Sequence, residues 1–97
     1  MNWVDTTSYS RGDTKRDPRI WNLEIAKNIN VTVHKYAGCG DAWFVSAYVG
    51  RWRVVDCVDL HTEDVAQAKE KAVQKIREVL RVFKAELENA LNALDKA

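Results

Sequence analysis

From Ile20 onward the chain alternates apolar and polar side chains with a period of two. Trp21, Leu23 and Ile25 stand against Asn22 and Glu24, and then Ile29, Val31 and Val33 stand against Asn30, Thr32 and His34. That period is the signature of strands with one buried face. Ala26-Lys27-Asn28 supplies the turn between the two. Gly38-Cys39-Gly40-Asp41 is a second turn signal, because glycine accepts the positive φ of tight loops. The following run, Trp43 to Val49, is apolar at nearly every position, as in a central strand. Gly50-Arg51 reads as a two-residue hairpin with glycine first, the order a type II′ turn prefers, and Trp52 to about Val58 makes a fourth strand. Loops this short permit only antiparallel pairing. Closing the hairpin at Gly50-Arg51 sets Phe44 opposite Cys57, and His34 falls roughly opposite Phe44.

After Val58 the pattern changes to helical. Thr62 is the expected N-cap, with Glu63 and Asp64 suited to the positive helix end. From there to Lys96 there is neither proline nor glycine, and alanine, glutamate, lysine, glutamine and leucine dominate. A helix over about 63–96 is therefore predicted. At about 1.5 Å per residue it is a rod of about 50 Å, whereas an eight-residue strand spans about 26 Å. Val65, Ala68, Ala72, Val73 and Ile76 form a small-residue stripe that can lie close against a sheet. Val73, Ile76, Leu80, Phe83, Leu87, Ala90 and Leu94 then follow alternating steps of three and four, a heptad seam widened by Val79, Val82 and Leu91. Either the whole stripe packs on the domain's own sheet, or the stretch from Leu80 to Leu94 overshoots and pairs with another chain. Soluble monomers seldom leave such a patch open, so the second reading is preferred, with a homodimer its simplest form through Leu80, Phe83, Leu87 and Leu94.

Residues 1–19 lack either period and are rich in Thr, Ser, Gly, Asp and Pro, which predicts a flexible N-terminal arm with Trp3 pinning it to the body or serving a contact. Residues 20–97 form the single domain. The expected architecture is α+β: an antiparallel three- to four-stranded β-meander packed on one long C-terminal α-helix.

Bulk properties narrow the function classes. Ninety-seven residues suffice for one modest core. Fifteen basic residues against fourteen acidic ones leave a net charge of +1, which argues against a domain built chiefly to neutralise phosphates. The first ten residues lack the basic-then-apolar order of a secretion signal, and no apolar run reaches the length of a membrane span. The expectation is a cytoplasmic protein with reduced cysteines and no membrane partner.

The sequence contains no G-x-S-x-G, phosphate-loop, G-x-G-x-x-G or H-E-x-x-H motif. His34, Cys39, Cys57 and His61 would form a tetrahedral zinc set if they gathered at one sheet end, but their spacing fits no common zinc module. Cys57 with His61 makes a conceivable thiol–base pair lacking an orienting third group. Accordingly no catalytic residue, metal or cofactor is expected. Arg51-Trp52-Arg53 at the hairpin tip has the composition of a protein-binding hot spot. The same triplet, with Lys15, Arg16 and Arg19 of the arm, supplies the alternative: a nucleic-acid-binding surface that stacks bases and holds phosphate.

The run Thr6-Thr7-Ser8-Tyr9-Ser10-Arg11-Gly12-Asp13, followed by Arg16, Pro18-Arg19 and Trp21, resembles small uncharacterised proteins of bacteriophages and prophages, which combine an N-terminal arm, a short tryptophan-bearing meander and a closing helix. The likeness covers mainly residues 6–60. It implies a viral accessory protein in a bacterial host's cytoplasm, binding and modulating or inhibiting a host protein, a defence system being one such target.

Overall fold

The computed structural model describes residues 2–9, 17–36 and 40–97. Five antiparallel strands lie side by side in chain order, β1 (Trp3–Asp5), β2 (Ile20–Ala26), β3 (Ile29–His34), β4 (Phe44–Val49) and β5 (Trp52–Asp59), followed by one helix, α1 (Val65–Asp95). The fold is α+β, a meander backed by a long C-terminal helix. The extra strand is β1, which belongs to the segment expected as a flexible arm. Three residues are too few to display a period, yet Trp3 pairs with Leu23 and Asp5 with Trp21 along the β2 edge. Thr7 fastens this end, its Oγ1 accepting the N–H groups of Arg19 (2.8 Å) and Ile20 (2.9 Å).

Alternation carries Leu23, Val31, Val33, Val45, Ala47 and Val55 to one face of the sheet, where they are buried. Ala68, Ala72 and Ile76, four residues apart on α1, close over them. The two alanines let the helix backbone approach the sheet. Burying Val31, Val33 and Val45 contributes about 1.5–3 kcal/mol each relative to exposure. Trp43 joins the sheet to the helix start: its backbone N–H donates to Thr62 O, and its indole Nε1–H donates to Glu63 O at 3.1 Å. Trp3 and Trp21 pack beside this core, with the Lys69 ammonium 3.7 Å from the Trp21 ring centroid and 5.8 Å from that of Trp3.

Two expectations are corrected. The helix is capped by Asp64, not Thr62: Asp64 Oδ1 accepts from the N–H groups of Ala66 (2.8 Å) and Gln67 (3.4 Å). Those are the second and third helical positions a cap serves. Thr62 instead accepts the N–H of Asp64 and donates its hydroxyl to Gln67 Oε1, so it organises the approach to the cap. The β4–β5 register also differs. The hairpin closes as expected, Val49 opposite Trp52 with Gly50 at φ +61°, but the pairing shifts once between Tyr48 and Ala47 and again between Ala47 and Val45. Each shift inserts one residue into β5. Phe44 therefore faces Asp59, not Cys57, while His34 opposite Phe44 is found as expected.

The helix spans 31 residues, about 46 Å at 1.5 Å per residue, and the molecule measures 61 × 25 × 24 Å. The sheet occupies only part of that length. Helix packing ends with Leu80 and Phe83, and every residue from Lys84 to Ala97 is exposed.

Candidate docking surface

At the hairpin tip, neighbouring side chains point to opposite faces. Trp52 turns toward the helix side and is 66% exposed. Its ring meets Phe83 edge to face, centroids 6.2 Å apart. Beside this pair a groove of about 460 Å³ runs between β5 and α1, lined by Val54, Val79, Val82 and Phe83, with Lys75, Glu78 and Glu86 at its rim. Beyond Phe83 the helix carries Leu87, Leu91 and Leu94 into solvent, Leu94 at 70% exposure. The hairpin tip and the helix stripe, read separately in the sequence, thus join into one apolar ridge. Of the four helix positions singled out there, Leu80 is half-buried against the domain's own core and Phe83 is half-buried beside Trp52; Leu87 and Leu94 stand free of the sheet.

The two arginines of the tip do not join that ridge. Arg53 lies on the opposite face of the sheet, where its Nε and Nη2 donate to Tyr48 Oη (3.1 and 2.8 Å) and its Nη1 to Asp56 Oδ1 (2.9 Å). The bonds to Tyr48, with that to Asp56, hold the guanidinium above its usual pKa. Arg51 is exposed in the turn. Of the basic arm, Lys15 and Arg16 lie outside the described residues, and Arg19 is exposed at the head of β2.

That opposite face is uncovered by the helix and carries a polar network. The His34 Nε2 lies 3.0 Å from Ser46 Oγ, and Ser46 Oγ also accepts the Cys57 N–H at 3.1 Å. The Cys57 Sγ sits 3.4 Å from Ser46 Oγ and 2.6 Å from Tyr36 Oη. The β5 insertion opposite Ser46 brings Cys57 here, with φ +48°. Rings of His34, Tyr36 and Phe44 cluster over the network, centroids 4.9–6.3 Å apart. Burial, then the nearby Arg53 charge, pushes the His34 pKa below 6.5; the hydrogen bond with Cys57 is the main cause that raises Tyr36 above its usual value.

The strand alternation of Phe44, Ser46 and Tyr48 makes half of this network legible in sequence, but Tyr36 lies past the strand end and no pattern marks it. Of the four residues considered for zinc, His34 and Cys57 share the face through Ser46. His61 Nδ1 is instead exposed, 3.7 Å from Asp59 Oδ2, and Cys39 lies outside the described residues. Among the described residues no three His, Cys, Asp or Glu side chains gather as a metal would require, and no helix is long and apolar enough to cross a membrane. Cys57 and His61 likewise have separate partners. Ser46 is buried beneath the rings.

No protein-family model, curated protein or solved structure matches the chain.

Proposed function

We propose that this chain is a non-enzymatic binding protein that acts by docking on another protein through the ridge where the hairpin tip meets the helix. The observation that carries the reading is the placement of Trp52 against Phe83. A large aromatic left two-thirds exposed is unusual unless it serves a contact, and here it borders a groove and heads a helix whose apolar positions continue away from the body. Tryptophan is also the residue most enriched among the side chains that dominate interface energies. The likeness to bacteriophage and prophage proteins makes a bacterial host protein, encountered in the cytoplasm, the class of target this reading favours, with modulation or inhibition as the outcome of binding.

The test is affinity capture from bacterial lysate with the parent chain and with Trp52→Ala and Leu87→Glu variants. The reading expects a stoichiometric protein retained by the parent, whether a host protein or more of the chain itself, and depleted with both variants. Equal retention by all three chains, or none by any, counts against it. The alternative, nucleic-acid binding through Lys15, Arg16, Arg19 and the tip arginines, is less favoured, since Arg53 already spends three donors on Tyr48 and Asp56.

A further inference from the structure

We infer that the groove between β5 and α1 receives a basic amphipathic helix of another protein, laid alongside α1 on the same face of the sheet. The inference rests on the docking reading and gives the chemistry of the partner. One helix cannot cover a sheet of five strands. α1 lies chiefly over β3, and β5 is two strands away, about 10 Å at about 4.8 Å per strand. On that side Trp52 is 66% and Val58 37% exposed. The groove by Val54, Val82 and Phe83 does not end there. Lys75 and Glu78, which border it, also border a second hollow of about 410 Å³ that continues past Gln74 to Val58 and Leu60. Together they make one trough along β5, whose eight residues span about 26 Å.

The shape of the trough selects a helix over a strand. Two insertions interrupt β5, and such insertions bend a strand and blunt its outer edge against further pairing. A helix centred over β5 needs no such edge. It would stand about 10 Å from α1, within the 8–10 Å at which helices pack, and about 18 residues would fill the length at about 1.5 Å each. Charge selects its composition. Asp59, Glu70, Glu78 and Glu86 border the trough, against Lys71 and Lys75. Lys71 is engaged within the chain, its Nζ donating to Leu60 O at 3.0 Å. Among the described residues Glu70, Glu78 and Glu86 form no ion pair. The apolar floor under this carboxylate rim matches a helix with an apolar stripe flanked by lysine or arginine, whose long stems lie along the floor while their charges reach the rim. The same rim disfavours the distal helix of a second copy, which between residues 85 and 95 carries Glu86, Glu88 and Asp95 with no basic residue.

The probe is a labelled peptide of about 18 residues, acetylated and amidated, with leucine on one face, lysine on the flanks and alanine elsewhere. Its twin carries glutamate for every lysine. Fluorescence anisotropy at low salt measures the binding of each to the full chain. The lysine peptide is expected to bind more tightly than its twin by about tenfold or more. Glu78 and Glu86 are exposed, so Glu78→Lys/Glu86→Lys should fold as the parent does and reverse that order. Glu88→Lys, at an exposed position outside the trough, should leave it unchanged. Equal affinity for the two peptides, preference for the glutamate twin, or an order untouched by Glu78→Lys/Glu86→Lys overturns the inference. So does binding of neither peptide; if the lysate capture still retains a protein that Trp52→Ala loses, the docking reading stands without it. A retained protein that proves to be the chain itself also overturns the foreign helix and leaves docking in place. Neither peptide binding nor capture overturns both.

Discussion

Trp52 and Phe83 meet edge to face, with ring centroids 6.2 Å apart and planes inclined at 70°. Thirty-one positions separate them in the chain, and the contact lies where the helix leaves the sheet. Trp52→Ala removes an aromatic pair worth about 0.5–1.5 kcal/mol beyond its area. A fully buried tryptophan would cost about 3–5 kcal/mol. The expected outcome is a urea midpoint lowered only slightly, together with loss of the protein that the parent chain retains in the lysate capture. A large stability loss with unchanged association would show that Trp52 serves the fold and not the ridge.

Ending the chain at Lys84 removes only exposed residues. Because the core is closed by Ala68, Ala72 and Ile76, the shortened protein is expected to keep one cooperative urea transition near the parent midpoint and to lose the protein retained by the parent in the lysate capture. Loss of the transition itself would mean that the distal helix carries folding free energy within one chain.

The two halves of the helix differ in what a single methyl-rich side chain is worth. Ile76 is 2% exposed and sits in the core, so Ile76→Ala is expected to destabilise by about 2–5 kcal/mol. Val82 is exposed, and Val82→Ala should stay within about 0.5 kcal/mol, as surface changes do. Equilibrium urea unfolding of the two variants at a concentration where the chain is monomeric separates these values.

Much of this was legible in the residues because periodicity is set by strand and helix geometry. The alternation through Trp21–Ile25 and Ile29–Val33 located β2 and β3, Gly50-Arg51 located the hairpin, and the comparison of helix and strand lengths divided α1 into a packed and a protruding part. What escaped depends on features with no period. β1 is three residues held mainly by its neighbour's edge. The two insertions in β5 move Phe44 from Cys57 to Asp59, and a residue count from the turn has no means of detecting them. Both Thr62 and Asp64 suit the cap role by side chain; Thr62 lies before the helix, its carbonyl accepting the Trp43 N–H, and Asp64 caps it. The Trp52–Phe83 contact was hidden because it depends on where the helix crosses β5, which neither segment encodes alone.

Gly50 occupies the left-handed region at φ +61°, and an added Cβ would meet nothing within 4 Å. The cost of Gly50→Ala is therefore backbone strain without a clash, about 1–2 kcal/mol. Gly50→Asn should cost less, since asparagine tolerates this region better. If the urea midpoints of both variants match the parent, the turn has changed conformation to relieve the strain, and the Val49–Trp52 closure that presents Trp52 would be expected to change with it.

His34 gives the fold a predicted acid sensitivity. Its imidazole is half-buried on the uncovered sheet face, 3.0 Å from Ser46 Oγ, and burial followed by the Arg53 charge holds its pKa below 6.5. The folded chain thus binds this proton less readily than the unfolded chain. As pH falls through 6.5 the unfolded state protonates first, and stability declines until the pH passes below the folded pKa. Above 6.5 this contribution is fully present. The parent's urea midpoint is expected to be lower at about pH 5 than at about pH 7.5, and His34→Gln should flatten that fall, since glutamine fills the position without titrating. Every other titratable group is common to both chains, so the difference between them isolates His34. An identical fall in both chains would place the acid sensitivity elsewhere. A smaller fall in the variant would assign it to the network that joins His34, Ser46 and Cys57.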